Sequence, residues 1–237
     1  MAHSVALQIP LVLEVLGVVV GAVTGTLTAC ERRLDIVGGV GLAMICGLGG
    51  GLIRDVIMQK GSVFMLEADY AIPLCAGVGA VVFFFRSAVE RWPRTIEWLD
   101  ILGVALFAAA GCDKAIVYGL TPAASVLMGV LAGNGGGLLR DIVLGDVPKI
   151  FQKANWYAIC ALFGSVAYWL LADALSAEKG VAGAVSVVVT IAARRAALRF
   201  DLQSPADVDL TPRVSESIHR AAKGSGRKGR RGRRGED

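Results

Sequence analysis

Two short blocks of the chain gather residue types that could hold or steer ions. Gly47-Leu48-Gly49-Gly50-Gly51-Leu52-Ile53-Arg54-Asp55 and Gly133-Asn134-Gly135-Gly136-Gly137-Leu138-Leu139-Arg140-Asp141 share their glycines, a leucine and an Arg-Asp pair at identical spacing. Consecutive glycines leave helical geometry cheaply, so a helix carrying Gly49, Gly50 and Gly51, or Gly135, Gly136 and Gly137, is expected to kink there. A break frees backbone carbonyls and N–H groups, which at membrane depth must face protein or water. Ionisable side chains in or near hydrocarbon cost at least about 2.5–3.5 kcal/mol each, so they pair or line a wet cavity. Arg54–Asp55 and Arg140–Asp141 therefore brace the broken helices around an aqueous path. The alternative is a purely structural role, with each Arg capping carbonyls or bridging to the Asp of the other block.

Nothing else in the chain offers chemistry. There is no nucleophile triad, Walker motif or metal-ligand cluster, and the two histidines, His3 and His219, sit near opposite ends. No catalytic residue, metal or cofactor is expected, so the chain reads as a non-enzyme. The five cysteines lie in or beside apolar runs without a Cys-x-x-Cys pair, as buried small hydrophobes do. The Gly47-x-Gly49-Gly50-Gly51 run lacks the preceding strand of a dinucleotide fingerprint.

The elements that position these blocks are membrane helices. The 237 residues are 55% hydrophobic with a mean hydropathy of +0.62 and only 19% charge, well below the roughly 25% charge of soluble domains. Seven apolar segments stand out: about 10–29, 36–58, 70–86, 99–118, 122–144, 155–173 and 180–199. The first is long enough to span a bilayer and has no Lys or Arg before it, which predicts a retained helix and not a signal peptide. The fold expected is all-α and integral to the membrane, with residues 1–200 as the seven-helix domain. Residues 201–237 form a basic tail, read as disordered and solvated or lying on anionic lipid headgroups. Nucleic acid is not an expected partner.

Lysine and arginine sort the connections into two faces. Arg54, Lys60, Lys114 and Lys179 fall on one. Arg32, Arg33, Arg86, Arg91, Arg94, Arg140, Lys149, Lys153 and the basic tail fall on the other. The richer face is cytoplasmic by the positive-inside rule, which places the N-terminus outside.

The matching blocks lie in the second and fifth segments, so the chain carries two three-helix repeats, about 10–86 and 99–173, with a seventh helix at about 180–199. An odd number of helices per repeat inverts the second repeat, a device of transporters and channels whose interrupted helices mark the permeation path. Upstream the match is looser, with Arg33 falling opposite Lys114. Gly17, Gly21 and Gly25, and Gly129, Gly133 and Gly137, follow the four-residue spacing that lets helices approach closely; lining a narrow pore is the other reading. Glu14 is read as reaching the outer interface. Lys114 is either a voltage- or gate-linked charge or a side chain snorkelling to the interface.

With both blocks in hand, the chain resembles bacterial members of the trimeric intracellular cation (TRIC) channel family over about residues 10–199. The carriers are Asp35-x-x-Gly38, Gly49-Gly50-Gly51-x-x-Arg54-Asp55, Gly111-x-x-Lys114-Ala115, Gly135-Gly136-Gly137-x-x-Arg140-Asp141 and Pro148. The resemblance implies a homotrimer in the bacterial inner membrane, with one pore per protomer between the repeats, lined by the first, second, fourth and fifth helices. The second and fifth helices would be kinked at their glycines. Permeant ions would be monovalent cations, mainly potassium, with voltage-influenced gating in which Lys114 takes the fourth-helix basic position. Animal members carry Lys-Glu-Val after the second-helix kink, where this chain has Leu52-Ile53-Arg54-Asp55, so their lipid and calcium-store roles do not carry over. The competing function is a secondary transporter of a small amino acid such as glycine, because half-helix N-termini suit a substrate carboxylate.

Overall fold

A computed structural model describes residues 2–89, 94–152 and 156–200, with side chains from residue 11 onward except those of 88 and 89. The predicted tail, 201–237, lies outside the described residues, as do Arg91 and Lys153. Among the described residues all regular structure is helical. The helices are α1 (Ala2–Glu31), α2 (Ile36–Met58), α3 (Phe64–Glu67), α4 (Ala71–Phe84), α5 (Arg86–Val89), α6 (Thr95–Val117), α7 (Pro122–Val143), α8 (Tyr157–Trp169) and α9 (Lys179–Arg199). A π-helical turn, Leu170–Ala174, continues α8.

Six segments are long and apolar enough to cross a membrane: those of α1, α2, α6, α7, α8 with its π turn, and α9. The third predicted segment forms a shorter helix, the 14 residues of α4, against the roughly 20 that a full crossing takes. It nevertheless runs antiparallel along α2. Gly79 faces Ala43, and Gly39 faces the ring of Phe83. The helix starts follow local chemistry. Asp35 caps α2 by accepting from the Gly38 N–H at 2.8 Å, and Thr121 caps α7, with Pro122 following where its missing N–H costs nothing. On α1, Thr24, Thr26 and Thr28 each donate to the carbonyl four residues back, which satisfies their hydroxyls without water.

Contacts at the two ends of the bundle establish the inversion. Call the end where α1 begins proximal and the end where it finishes distal. The turn after α2 meets the end of α6 through Lys60 Nζ donating to the Tyr118 carbonyl at 3.2 Å. The turn after α1 meets the end of α7 through an Arg32–Asp146 ion pair. Hence α6 opposes α1 and α7 opposes α2. α9 begins proximally, where Lys179 pairs with Asp113 at 2.8 Å. It ends distally, where Arg195 lies 4.4 Å from the centroid of the Trp98 ring. Residue 200 and the start of α1 therefore lie at opposite ends of the bundle.

The expected loss of helical order at the glycine blocks is absent: α2 and α7 are continuous through Gly49–Gly51 and Gly135–Gly137. The glycines serve a close crossing instead. A Cβ on Gly50 would collide with the Ala132 carbonyl oxygen, and one on Gly136 with that of Cys46. The two backbones meet so closely at the centre of the bundle that only glycine fits there. The five cysteines are buried and free, as expected.

Candidate ion path

Each Arg-Asp pair sits one turn or so beyond this crossing, on opposite sides of it. Proximally, Arg54 is fully buried. Its Nε donates to Asp55 Oδ1 at 2.7 Å and its Nη2 to Glu14 Oε1 of α1, also at 2.7 Å. Asp55 is held twice more: its Oδ1 accepts from Lys114 Nζ of α6 at 2.9 Å, and its Oδ2 from the Phe64 N–H at 2.9 Å. Lys114 also reaches the Ser62 carbonyl at 3.3 Å. Four charges, two of each sign, thus neutralise one another out of bulk water.

Distally the same figure recurs. Arg140, 2% exposed, holds Asp141 Oδ1 through Nε at 3.0 Å and through Nη2 at 2.9 Å, and meets Asp100 Oδ1 of α6 at 3.3 Å. Asp141 Oδ2 accepts from the Lys149 N–H at 3.0 Å. Tyr157, at the start of α8, donates its hydroxyl to Asp100, and the Arg194 guanidinium stands 4.8 Å from the centroid of its ring.

Neither arginine reaches the aspartate of the other repeat. Each bridges its neighbouring aspartate to the first helix of its own repeat. Glu14 and Asp100 are the residues that the sequence reading missed in this role, since an acidic residue near a helix start reads as interfacial. The register supplied the signal: Glu14 and Asp100, Arg54 and Arg140, and Asp55 and Asp141 all lie 86 positions apart. That register places Thr28, not Arg33, opposite Lys114. The looser alignment upstream was out of step because it followed glycines near the turns. Lys114 does not snorkel alone; it is the one described link by which a cation of the second repeat holds a carboxylate of the first.

Between α1, α2, α6 and α7 lies a cavity of about 30 Å³. Its lining includes Gly21, Thr24, Cys46, Asp100, Gly136 and Arg140, so it opens beside the distal cluster and reaches the glycine crossing. That space admits water. No group of three or more metal-ligating side chains occurs among the described residues.

Comparison with known proteins follows the duplication. A family model described as glycine transporter matches twice, over residues 11–87 and 97–173, which repeats the 86-residue register. A UPF0126 membrane protein of Deinococcus radiodurans is 34% identical over 179 residues, 75% of this chain and 83% of that one. The UPF0126 inner membrane protein YadS of Escherichia coli is 31% identical over 198 residues, 81% of this chain and 93% of that one. Among solved structures, the TRIC trimeric intracellular cation channel orthologue from Rhodobacter sphaeroides is 33% identical, with a TM-score of 0.75 over 82% of this chain and 100% of that chain. The chain belongs to the bacterial TRIC family. The TRIC match covers 82% of the chain, and the double family match falls in both repeats.

Proposed function

We propose that the protein is a potassium-permeable cation channel of a bacterial inner membrane, with the N-terminus outside and the C-terminus cytoplasmic. It assembles as a homotrimer, and each protomer carries its own path between the repeats, among α1, α2, α6 and α7. The observation that carries this reading is the cavity at the glycine crossing, bordered by Asp100 and reached by small or polar groups on all four helices. Asp100 and Asp141 both pair with Arg140, and Asp100 borders the cavity, which sets a carboxylate where a cation would gather. The TRIC orthologue from Rhodobacter sphaeroides is described as a trimeric cation channel, and the Escherichia coli relative as an inner membrane protein; both agree with this reading.

Lys114 is the gate-linked charge. Held by Asp55, it latches the second repeat to the first. A unit charge moved through the full membrane potential gains about 2.3 kcal/mol per 100 mV, enough to compete with a hydrogen-bonded ion pair. Release lets α2 and α7 bend at their glycines.

Glycine transport is the second reading, favoured by the description of the matching family model. Proteoliposomes loaded with potassium decide between the two. A channel dissipates the gradient without coupling to protons or sodium, whereas a transporter takes up labelled glycine saturably and leaves the potassium gradient intact.

A further inference from the structure

The register that pairs the two charge clusters also pairs unlike residues at the centre of the bundle: Gly21 on α1 corresponds to Phe107 on α6. Gly21 lines the distal cavity. The Phe107 ring reaches across to α1, where a Cβ on Gly17 would touch it at 3.1 Å. Gly17 lies one turn distal to Glu14 and one turn proximal to Gly21, so the ring stands on α1 between the cavity and the proximal charge cluster. It is buried, in an apolar cluster with Val18, Ala71 and Ala132. Under the same register these three correspond to Val104, Tyr157 and Cys46, all of which line the cavity. Phe107 itself lines the cavity and belongs to the apolar cluster of the first repeat, so its ring is the wall between the two.

We propose that Phe107 is the apolar plug of the path, closing the cavity from the Glu14–Arg54–Asp55–Lys114 cluster. Apolar constrictions gate by excluding water, because an ion entering one loses hydration with no ligand to replace it. This inference rests on the channel reading, and its test separates the two. Potassium efflux from proteoliposomes at zero voltage is measured for the wild type, Phe107→Ala and Phe107→Leu. Phe107→Ala is expected to raise it about tenfold, as a barrier lowered by about 1.4 kcal/mol would, with Phe107→Leu between the two. In parallel, a small membrane-impermeant thiol reagent is applied to both faces of Val18→Cys, with and without Phe107→Ala, and the labelled site is read by mass spectrometry.

Labelling of Cys at position 18 only when the ring is removed supports the plug. If that occurs while no variant conducts potassium, the plug stands and the channel reading fails. If the wild type conducts under voltage and neither variant leaks at zero voltage, the channel stands and the plug is overturned. Equal labelling with the ring in place also overturns it. Phe107→Leu, which keeps most of the buried volume, covers the case in which the alanine variant does not fold.

Discussion

The proximal and distal charge clusters are built from the same parts, yet only the proximal one holds a lysine from the other repeat. Glu14, Arg54 and Asp55 match Asp100, Arg140 and Asp141 position for position, and each arginine links its aspartate to an acidic residue 40 positions upstream. The difference is Lys114. It completes a neutral group of four proximally, whereas its distal counterpart, Thr28, spends its hydroxyl on the Thr24 carbonyl. Phe107 adds to the asymmetry, since its counterpart is a glycine. Duplication thus supplies two equivalent halves, and a few substitutions leave a cavity in one and apolar packing in the other.

Several variants break or sharpen this comparison. The largest effect is expected at the crossing that both halves share. Gly50→Leu places a side chain against the Ala132 carbonyl, where neither backbone can yield. Overpacking typically costs about 1–3 kcal/mol, and a clash with backbone falls at or beyond the upper end. The variant is expected to disappear from the folded peak in size-exclusion chromatography, while Gly41→Ala, which meets nothing within 4 Å, elutes normally.

Next come the aspartates. Asp55→Asn weakens contacts to Arg54, Lys114 and the Phe64 N–H at once, and a buried ion pair broken on one side costs about 3–5 kcal/mol. Asp141→Asn leaves Arg140 its Asp100 partner and frees no lysine, so its melting temperature should fall less. Equal losses would show that Lys114 adds nothing to the proximal cluster.

A smaller and more diagnostic change is Thr28→Lys, which gives the distal half a lysine at the position equivalent to Lys114. Potassium efflux should fall several-fold with little change in melting temperature. Unchanged efflux would separate the charge of the distal cluster from conduction. The smallest effect is expected for Tyr157→Phe, which removes one hydroxyl from Asp100. A loss of about 1 kcal/mol in chemical denaturation is the ordinary worth of such a bond.

Much of this could be read from the chain. The glycine blocks with their Arg-Asp pairs announced the duplication, and apolar length announced the helices, because a bilayer leaves few other structures possible. The glycines misled on local order, since α2 and α7 stay helical through them. Their freedom suggested a broken helix, whereas the close approach of α2 to α7 needs only the missing Cβ of Gly50 and Gly136. The partners of the arginines lay beyond local reading, since Glu14 and Asp100 belong to other helices. The short span of α4 was partly legible, since its apolar segment, about 70–86, is the shortest of the seven and runs into Arg86 two residues past the helix end.

Single-channel recording from the purified protein in a planar bilayer, under a potassium gradient, tests the central claim most directly. Discrete currents that reverse near the potassium equilibrium potential, with a voltage dependence that Lys114→Gln flattens, are the predicted result. A silent bilayer, from protein that in vesicles takes up glycine against its gradient, would contradict it.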